Sequence, residues 1–235
     1  VTTPWNETEL ASYDCETTGL DVDSDRIVTA ALIDPNSVNV RWLANPGVDI
    51  PTAASDVHGI TTAHARKHGQ RPSLVVDEIA GALADVLEEG KALVVMNAPY
   101  DLTLLDRECA RHGVTTVAER LGRPVGPVID PLVLDRAADK YRKGPRKLEA
   151  LAAHYEVDLT NAHTAEADAE AALGVAVRIA ERFPELQVSA EVLHRWQVTW
   201  YARWADGYEA YRRKTDADYS LSRAWPLLAA EAVNV

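Results

Sequence analysis

The chain has 235 residues, 47% of them hydrophobic and 26% charged, with 24 Lys plus Arg against 36 Asp plus Glu for a net charge of −12. That length supports one substantial core, or a core with an appendage, and the composition is that of a globular protein. The charge excludes attraction of a nucleic acid by the surface as a whole, so such a partner would need a local basic patch or cations bound among clustered acids.

The N-terminal run VTTPWNETEL has neither a basic start nor an apolar stretch, so a retained signal peptide is not visible, and a segment removed beforehand would leave no trace. No window approaches about 18 uninterrupted apolar residues, so no membrane-spanning helix is expected and a cytoplasmic location is. Cys15 and Cys109 stand far apart, without metal-ligand spacing, and are expected to be free thiols in apolar surroundings.

Leu10 to Glu16 is a short apolar run that becomes polar at its end and predicts a first strand. RIVTAALI from Arg26 and VNVRWLA from Val38 predict two more, separated by the turn residues Asp34-Pro35-Asn36-Ser37. Three strands with short connections imply an antiparallel meander. A loop from Asn45-Pro46-Gly47 leads through VHGIT (57–61) to a short helix. The next helix is expected to be capped by Ser73 and closed at Gly90, with Leu74, Ile79, Leu83, Val86 and Leu87 as its apolar stripe. Leu93 to Met96 predicts a buried strand. A helix follows from near Asp101 to Gly113, and helix–strand–helix at this spacing implies a parallel strand with a crossover. Val125 to Asp130 predicts the last strand, and helices are expected after Pro131, over Leu148 to Tyr155 and over Thr164 to Arg182. The fold class is α/β: a mixed five-stranded sheet, three antiparallel strands and then parallel ones, flanked by helices.

The composition shifts at Phe183-Pro184, which divides the chain into a domain over 8–183 and a helical, aromatic-rich extension over 184–235. Trp196, Trp200 and Trp204 recur every four residues, along one side of a helix. Such a row either packs back on the domain or offers a stacking platform for bases.

The chemistry-bearing residues fall in three clusters. In YDCETTGL (13–20), Asp14 and Glu16 are two apart on a strand and share a face, while Cys15 turns to the other. Adjacent carboxylates repel unless a hard divalent cation is ligated by both. In NAPYD (97–101) polar residues follow the carboxyl end of an apolar strand, where open sheets keep their sites, and Asp101 is either a site residue or a helix cap. In HTAEAD (163–168), His163 and Asp168 can lean toward one mouth from the start of an alanine-rich helix, with Glu166 and Glu170 expected to face outward. A fourth stretch, KYRKGPRK, carries five positive charges within residues 140–147 around a Gly-Pro turn. Arg142, Lys143, Arg146 and Lys147 are candidates for phosphate contacts there, or simply a solvated loop. His58 is expected to fix its loop by hydrogen bonding. His64 and His68 are expected to be surface residues.

Taken together, YDCETTGL, NAPYD and HTAEAD resemble the three motifs of the DnaQ-like 3′→5′ exonucleases with a catalytic histidine. DRIVTAAL (25–32), NPGVDIP (45–51) and VHGIT support the resemblance, which spans roughly residues 8 to 182. It implies a ribonuclease-H-like sheet and a two-metal phosphodiesterase using Mg²⁺ or Mn²⁺. Asp14, Glu16, Asp101 and Asp168 would be the metal carboxylates, with Asp101 acting partly through water, and His163 the general base. Thr17, Thr18 and Leu20 would lie by the terminal nucleotide, and Asn97 and Tyr100 would line the pocket. Tyr100 stands where Phe is more usual, which adds a hydroxyl beside the site. The partner implied is the 3′ end of single-stranded DNA. RNA trimming is the nearest alternative, and a non-catalytic binding or polymerase-accessory module a further one. The extension resembles those of actinobacterial members without implying a function, and a contact with a polymerase or with a second copy is the candidate role.

Overall fold

In the computed structural model, which describes residues 3–37 and 39–229, the expected meander is formed by β1 (Leu10–Thr17), β2 (Ile27–Ile33) and β3 (Val40–Leu43). Val38, where the third strand was expected to open, and residues 230–235 of the extension lie outside the described residues. Two short strands, β4 (Ala92–Val94) and β5 (Val128–Ile129), continue the sheet in parallel beyond β1, giving the order β3-β2-β1-β4-β5. The five-stranded mixed sheet expected from the sequence is therefore present. The central strand β1 is covered on both faces, which is why it reads as a nearly continuous apolar run.

The helices are α1 (Thr52–His58), α2 (Thr62–His68), α3 (Pro72–Glu88), α4 (Ala98–His112), α5 (Val117–Leu121), α6 (Pro131–Ala138), α7 (Leu148–His154), α8 (Ala165–Arg182) and α9 (Ala190–Arg212). Two of them begin earlier than predicted. Ser73 does not cap α3: Pro72 already occupies its first turn, where a missing N–H costs nothing. Asp101 does not open α4, because Asn97 is the cap and takes a left-handed backbone (φ 58°) that asparagine tolerates. Its helix-capping reading is thereby removed.

Alternation along β1 divides the core into two layers. Ala11, Tyr13 and Cys15 pack with Ile79, Leu83, Leu102 and Leu105 of α3 and α4. Leu10 belongs to the opposite layer, with Val94 and with Val175, Ala176 and Ile179 of α8. Ala165, Ala169, Ala172 and Ala176 are buried where α8 lies against β1 and β2, and side chains this small permit the close approach.

Helix α9 covers the outer edge of β5. Gln197 accepts from the Asp130 N–H at 2.7 Å and donates to the Val128 carbonyl at 2.9 Å, and His194 Nδ1 accepts from the Val128 N–H at 3.0 Å. Side chains of the C-terminal helix thus satisfy backbone groups that an open edge strand would leave unpaired. Tyr201 is buried, and Trp200 and Trp204 pack partly against the core, whereas Trp196 remains 38% exposed. The aromatic row is chiefly a packing face.

Asp130 ties this end together. Its carboxylate accepts from the backbone N–H groups of Asn97, Ala98 and Leu132 at 2.9–3.0 Å and from the Trp225 indole at 3.3 Å. Replacing it by alanine would leave several donors buried without an acceptor. Asp130→Ala is expected to lower the unfolding free energy by about 3 kcal/mol in urea titrations, and an unchanged midpoint would refute this role.

Candidate active site

Strand geometry and helix placement bring three of the predicted acids to one point. Asp14 and Glu16 project from the α8 side of β1, and regular pairing with β2 breaks between Glu16 and Thr17, a bulge that ends the strand beside the acids. Asp168 enters from the start of α8. One carboxylate oxygen from each of Asp14, Glu16 and Asp168 lies within 4.8 Å of the others.

Asp101 arrives from the opposite layer. It is 4% exposed, and its Oδ1 accepts from both the Cys15 N–H and the Cys15 thiol at 3.2 Å. It stands outside the three-acid cluster but close enough for its charge to act on Asp14. Cys15, expected to join the core, does so and also orients this fourth acid; both cysteines are free.

The electrostatic cost of this crowding appears in the acids themselves. Burial, and then the charges of Asp101, Asp168 and Glu16, raise the Asp14 carboxyl well above the usual carboxylate range. Burial and then Asp168 push Glu16 up to about 7, with His163 opposing. Asp101 and Asp168 are also raised, chiefly by burial, against the hydrogen bonds from Cys15 and from the His163 N–H. Three converging carboxylates that resist ionisation together fit a hard divalent cation, whose charge would reverse the conflict.

His163 sits at the rim just before Thr164, the cap of α8, with its backbone left-handed at φ 69°. That turn aims its N–H at both Asp168 carboxylate oxygens, at 3.2 and 3.3 Å. Its exposed ring has Nε2 3.6 Å from Glu149 Oε1 at the start of α7. Glu149 carries no motif, and no sequence signal marked it. Of the two outward-facing controls on α8, Glu170 is exposed while Glu166 pairs with Arg41 at 2.7 Å.

The predicted nucleotide-side residues divide into supports and exposed groups. The Thr17 and Tyr100 hydroxyls lie 2.7 Å apart, both beside the Gly19 carbonyl, 2.7 Å from Thr17; one of them donates to that carbonyl and the other donates to its neighbouring hydroxyl. The additional hydroxyl of Tyr100 therefore latches the loop after β1. Thr18 turns inward and donates to Asp25 Oδ1 at 2.7 Å, so its side chain serves the loop and does not project outward. Leu20 is 89% exposed, and Asn97 is exposed at the start of α4. His58 fixes its loop as expected, Nδ1 accepting from the Ile60 N–H at 3.1 Å, and His64 and His68 are exposed.

The basic stretch requires a correction. Arg142 and Arg146 are not free for phosphate: both bind the buried carboxylate of Asp135, Arg142 in bidentate fashion at 3.1 and 3.2 Å. Tyr155 donates to the same carboxylate at 2.8 Å. A buried acid must be neutralised, and these two guanidiniums do that while pinning the 139–147 loop. Lys143 and Lys147 are exposed.

The family model described as Exonuclease matches residues 12–176, so this chain belongs to that family, within its DnaQ-like, ribonuclease-H-like group. The DNA polymerase III PolC-type protein of Lacticaseibacillus paracasei is 30% identical over 167 residues, 69% of this chain and 11% of that protein. The DNA polymerase III subunit epsilon-like protein of Rhodobacter capsulatus is 36% identical over 121 residues, 45% of this chain and 15% of that protein. E. coli Exonuclease I in complex with a dT13 oligonucleotide has the same fold, with a TM-score of 0.64 at 20% identity over 77% of this chain and 42% of that one. The chain thus spans less than half the length of each of these relatives.

Two outcomes are expected. Between about 4.5 and about 7 the folded chain keeps a proton on Glu16 that the unfolded chain has released, so the metal-free protein should lose stability as pH rises through that window. The melting temperature should fall accordingly, and Mn²⁺ should raise it more at pH 8 than at pH 5; equal shifts would contradict a carboxylate cation site. Arg146→Ala should destabilise by about 2 kcal/mol or more in urea, whereas Lys143→Ala should stay within about 0.5 kcal/mol.

Proposed function

We propose that this chain is a 3′→5′ exonuclease that hydrolyses the terminal phosphodiester of single-stranded DNA and releases nucleoside 5′-monophosphates. The observation that carries the reading is the convergence of Asp14, Glu16 and Asp168 within 4.8 Å, with His163 on the rim. The likeness to DNA polymerase III proteins, and a fold shared with an Exonuclease I holding a dT13 oligonucleotide, support DNA as the substrate. We read it as a cytoplasmic enzyme; among the described residues no helix is long and apolar enough to cross a membrane.

Asp14, Glu16 and Asp168, with Asp101 as the fourth carboxylate, would hold a pair of Mg²⁺ or Mn²⁺ ions, which supply positive charge at the scissile phosphate and acidify a water. The chain's own groups do the rest. His163 accepts the proton of the attacking water through its exposed imidazole, which Glu149 orients. As the new P–O bond forms, the bond to the 3′ oxygen breaks; that oxygen stays on the shortened strand and takes up a proton from water, and the nucleoside 5′-monophosphate leaves. Leu20 offers an apolar surface to the terminal nucleotide, and Asn97 lines the opposite side. Thr17 and Tyr100 hold the loop between them at a fixed height. Trp196 and Tyr211, exposed on α9, are the residues through which the extension would meet a polymerase or a second copy.

The test is mononucleotide release from end-labelled single-stranded DNA and RNA with Mg²⁺, Mn²⁺ or chelator. Release should require metal, vanish in Asp14→Ala and fall about 10²–10⁴-fold in His163→Ala. It should also decline on acidification, as protons compete with the divalent ions for the site carboxylates. Undiminished release by Asp14→Ala would refute the site, and a rate ratio favouring RNA would refute the substrate.

A further inference from the structure

A groove of about 840 Å³ opens between α6, the 139–147 loop and α9. Arg136, Lys140 and Arg203 line it, and among the described residues the side chains of these three make no salt bridge or hydrogen bond. Elsewhere Arg26, Arg41, Arg107, Arg120 and Arg223 are paired with carboxylates, so the groove gathers three cations whose charge is not already taken up. One acid, Glu185, shares the lining.

Arg136 is the most telling of the three. Its guanidinium lies 3.7 Å over the Trp204 ring, and Trp204 in turn stacks on Tyr208 with centroids 5.4 Å apart. Loss of water pulls its pKa below the ordinary arginine value, the charges of Asp130 and Asp135 opposing. A guanidinium held on an aromatic face, with its forked donors unused and facing a cavity, is suited to an anion that accepts from planar N–H groups.

We infer that this groove binds the phosphodiester backbone of a single-stranded nucleic acid on the 5′ side of the end being hydrolysed. The inference rests on the exonuclease reading for the direction of the strand. The 139–147 loop links the two sites: Lys140 and Arg146 line the groove, and α7, which begins at Leu148, carries Glu149 to the His163 ring. Phosphates leaving the acidic site would cross exposed Lys143 and Lys147 and reach Arg136, Lys140 and Arg203. Aromatic side chains beside such cations suit the bases between the phosphates without selecting sequence. The groove also gives the C-terminal helix a role in holding substrate that the family-matched residues 12–176 do not include.

The test measures binding in chelator, so it does not depend on hydrolysis. A fluorescein-labelled oligothymidylate of about a dozen residues is titrated against the full chain and against Lys140→Gln/Arg203→Gln, two changes at exposed positions checked by circular dichroism. The wild type should bind and its tryptophan emission should be quenched. The double variant should bind about tenfold more weakly, and its log K against log salt should flatten by about 1.4, near 0.7 for each lost phosphate contact. In the wild type, photocrosslinks from 5-iodouracil substituted along the strand should fall on Trp204 or Tyr208. An unaltered affinity and salt slope, crosslinks confined to the acidic site, or displacement of the oligonucleotide by an acidic peptide of equal charge would each overturn the inference. Binding that follows this pattern without any mononucleotide release would uphold the groove while refuting the exonuclease reading.

Discussion

The burial and crowding of the Asp14, Glu16, Asp101 and Asp168 carboxylates is the constraint around which this molecule is arranged. Bringing them to one end of a buried strand is unfavourable: burial first raises the pKa of all four, and neighbouring acids add repulsion at Asp14, Glu16 and Asp101. The rest of the fold has to hold them there against that repulsion. Two layers do so from opposite sides: the alanine face of α8 presses Asp168 against β1, and α4 brings Asp101 to Cys15. Each acid is also anchored through backbone it cannot easily leave, a strand register in the case of Asp14 and Glu16 and a left-handed turn at His163 in the case of Asp168. Preorganised repulsion of this kind favours a divalent cation, since binding one would relieve it.

The C-terminal helix is part of the same arrangement. By completing the hydrogen bonding of β5, α9 stabilises the strand that precedes Asp130, and Asp130 in turn holds the Asn97–Ala98 turn that positions α4 and Asp101. Edge protection and site geometry are therefore coupled through one buried carboxylate. Trp225, returning across this region, adds its indole to the same group. A helix lying outside the family-matched residues thus supports the site mechanically, and its Trp204 face also frames the cationic groove.

Much of this was legible in the residue pattern because it depends on short-range rules. A period of two placed Asp14 and Glu16 on one face and Cys15 on the other, and polar residues after an apolar strand marked Asn97 to Asp101 as the mouth of the sheet. Helix starts were less legible: Pro72 opens α3 and Asn97 caps α4, whereas capping preferences alone pointed one or more residues later, to Ser73 and Asp101. Asp130 and Glu149 escaped notice because neither stands in a motif; their roles arise from partners 32 to 95 and 14 residues away in the chain.

By itself, then, the sequence determined the sheet's strand content, the faces of its strands and the acids and imidazole available for chemistry, since these follow from local periodicity and residue type. Only the tertiary structure decided which charges remain available. The run from Lys140 to Lys147 contains five cations of equal formal charge, yet a buried Asp135 recruits Arg142 and Arg146, while Arg136 and Arg203, on helices far apart in the chain, have no carboxylate partner among the described residues. Burial of one carboxylate, which no window of sequence reveals, separates Arg142 and Arg146, whose charge it takes up, from Arg136 and Arg203, whose donors stay free at the groove.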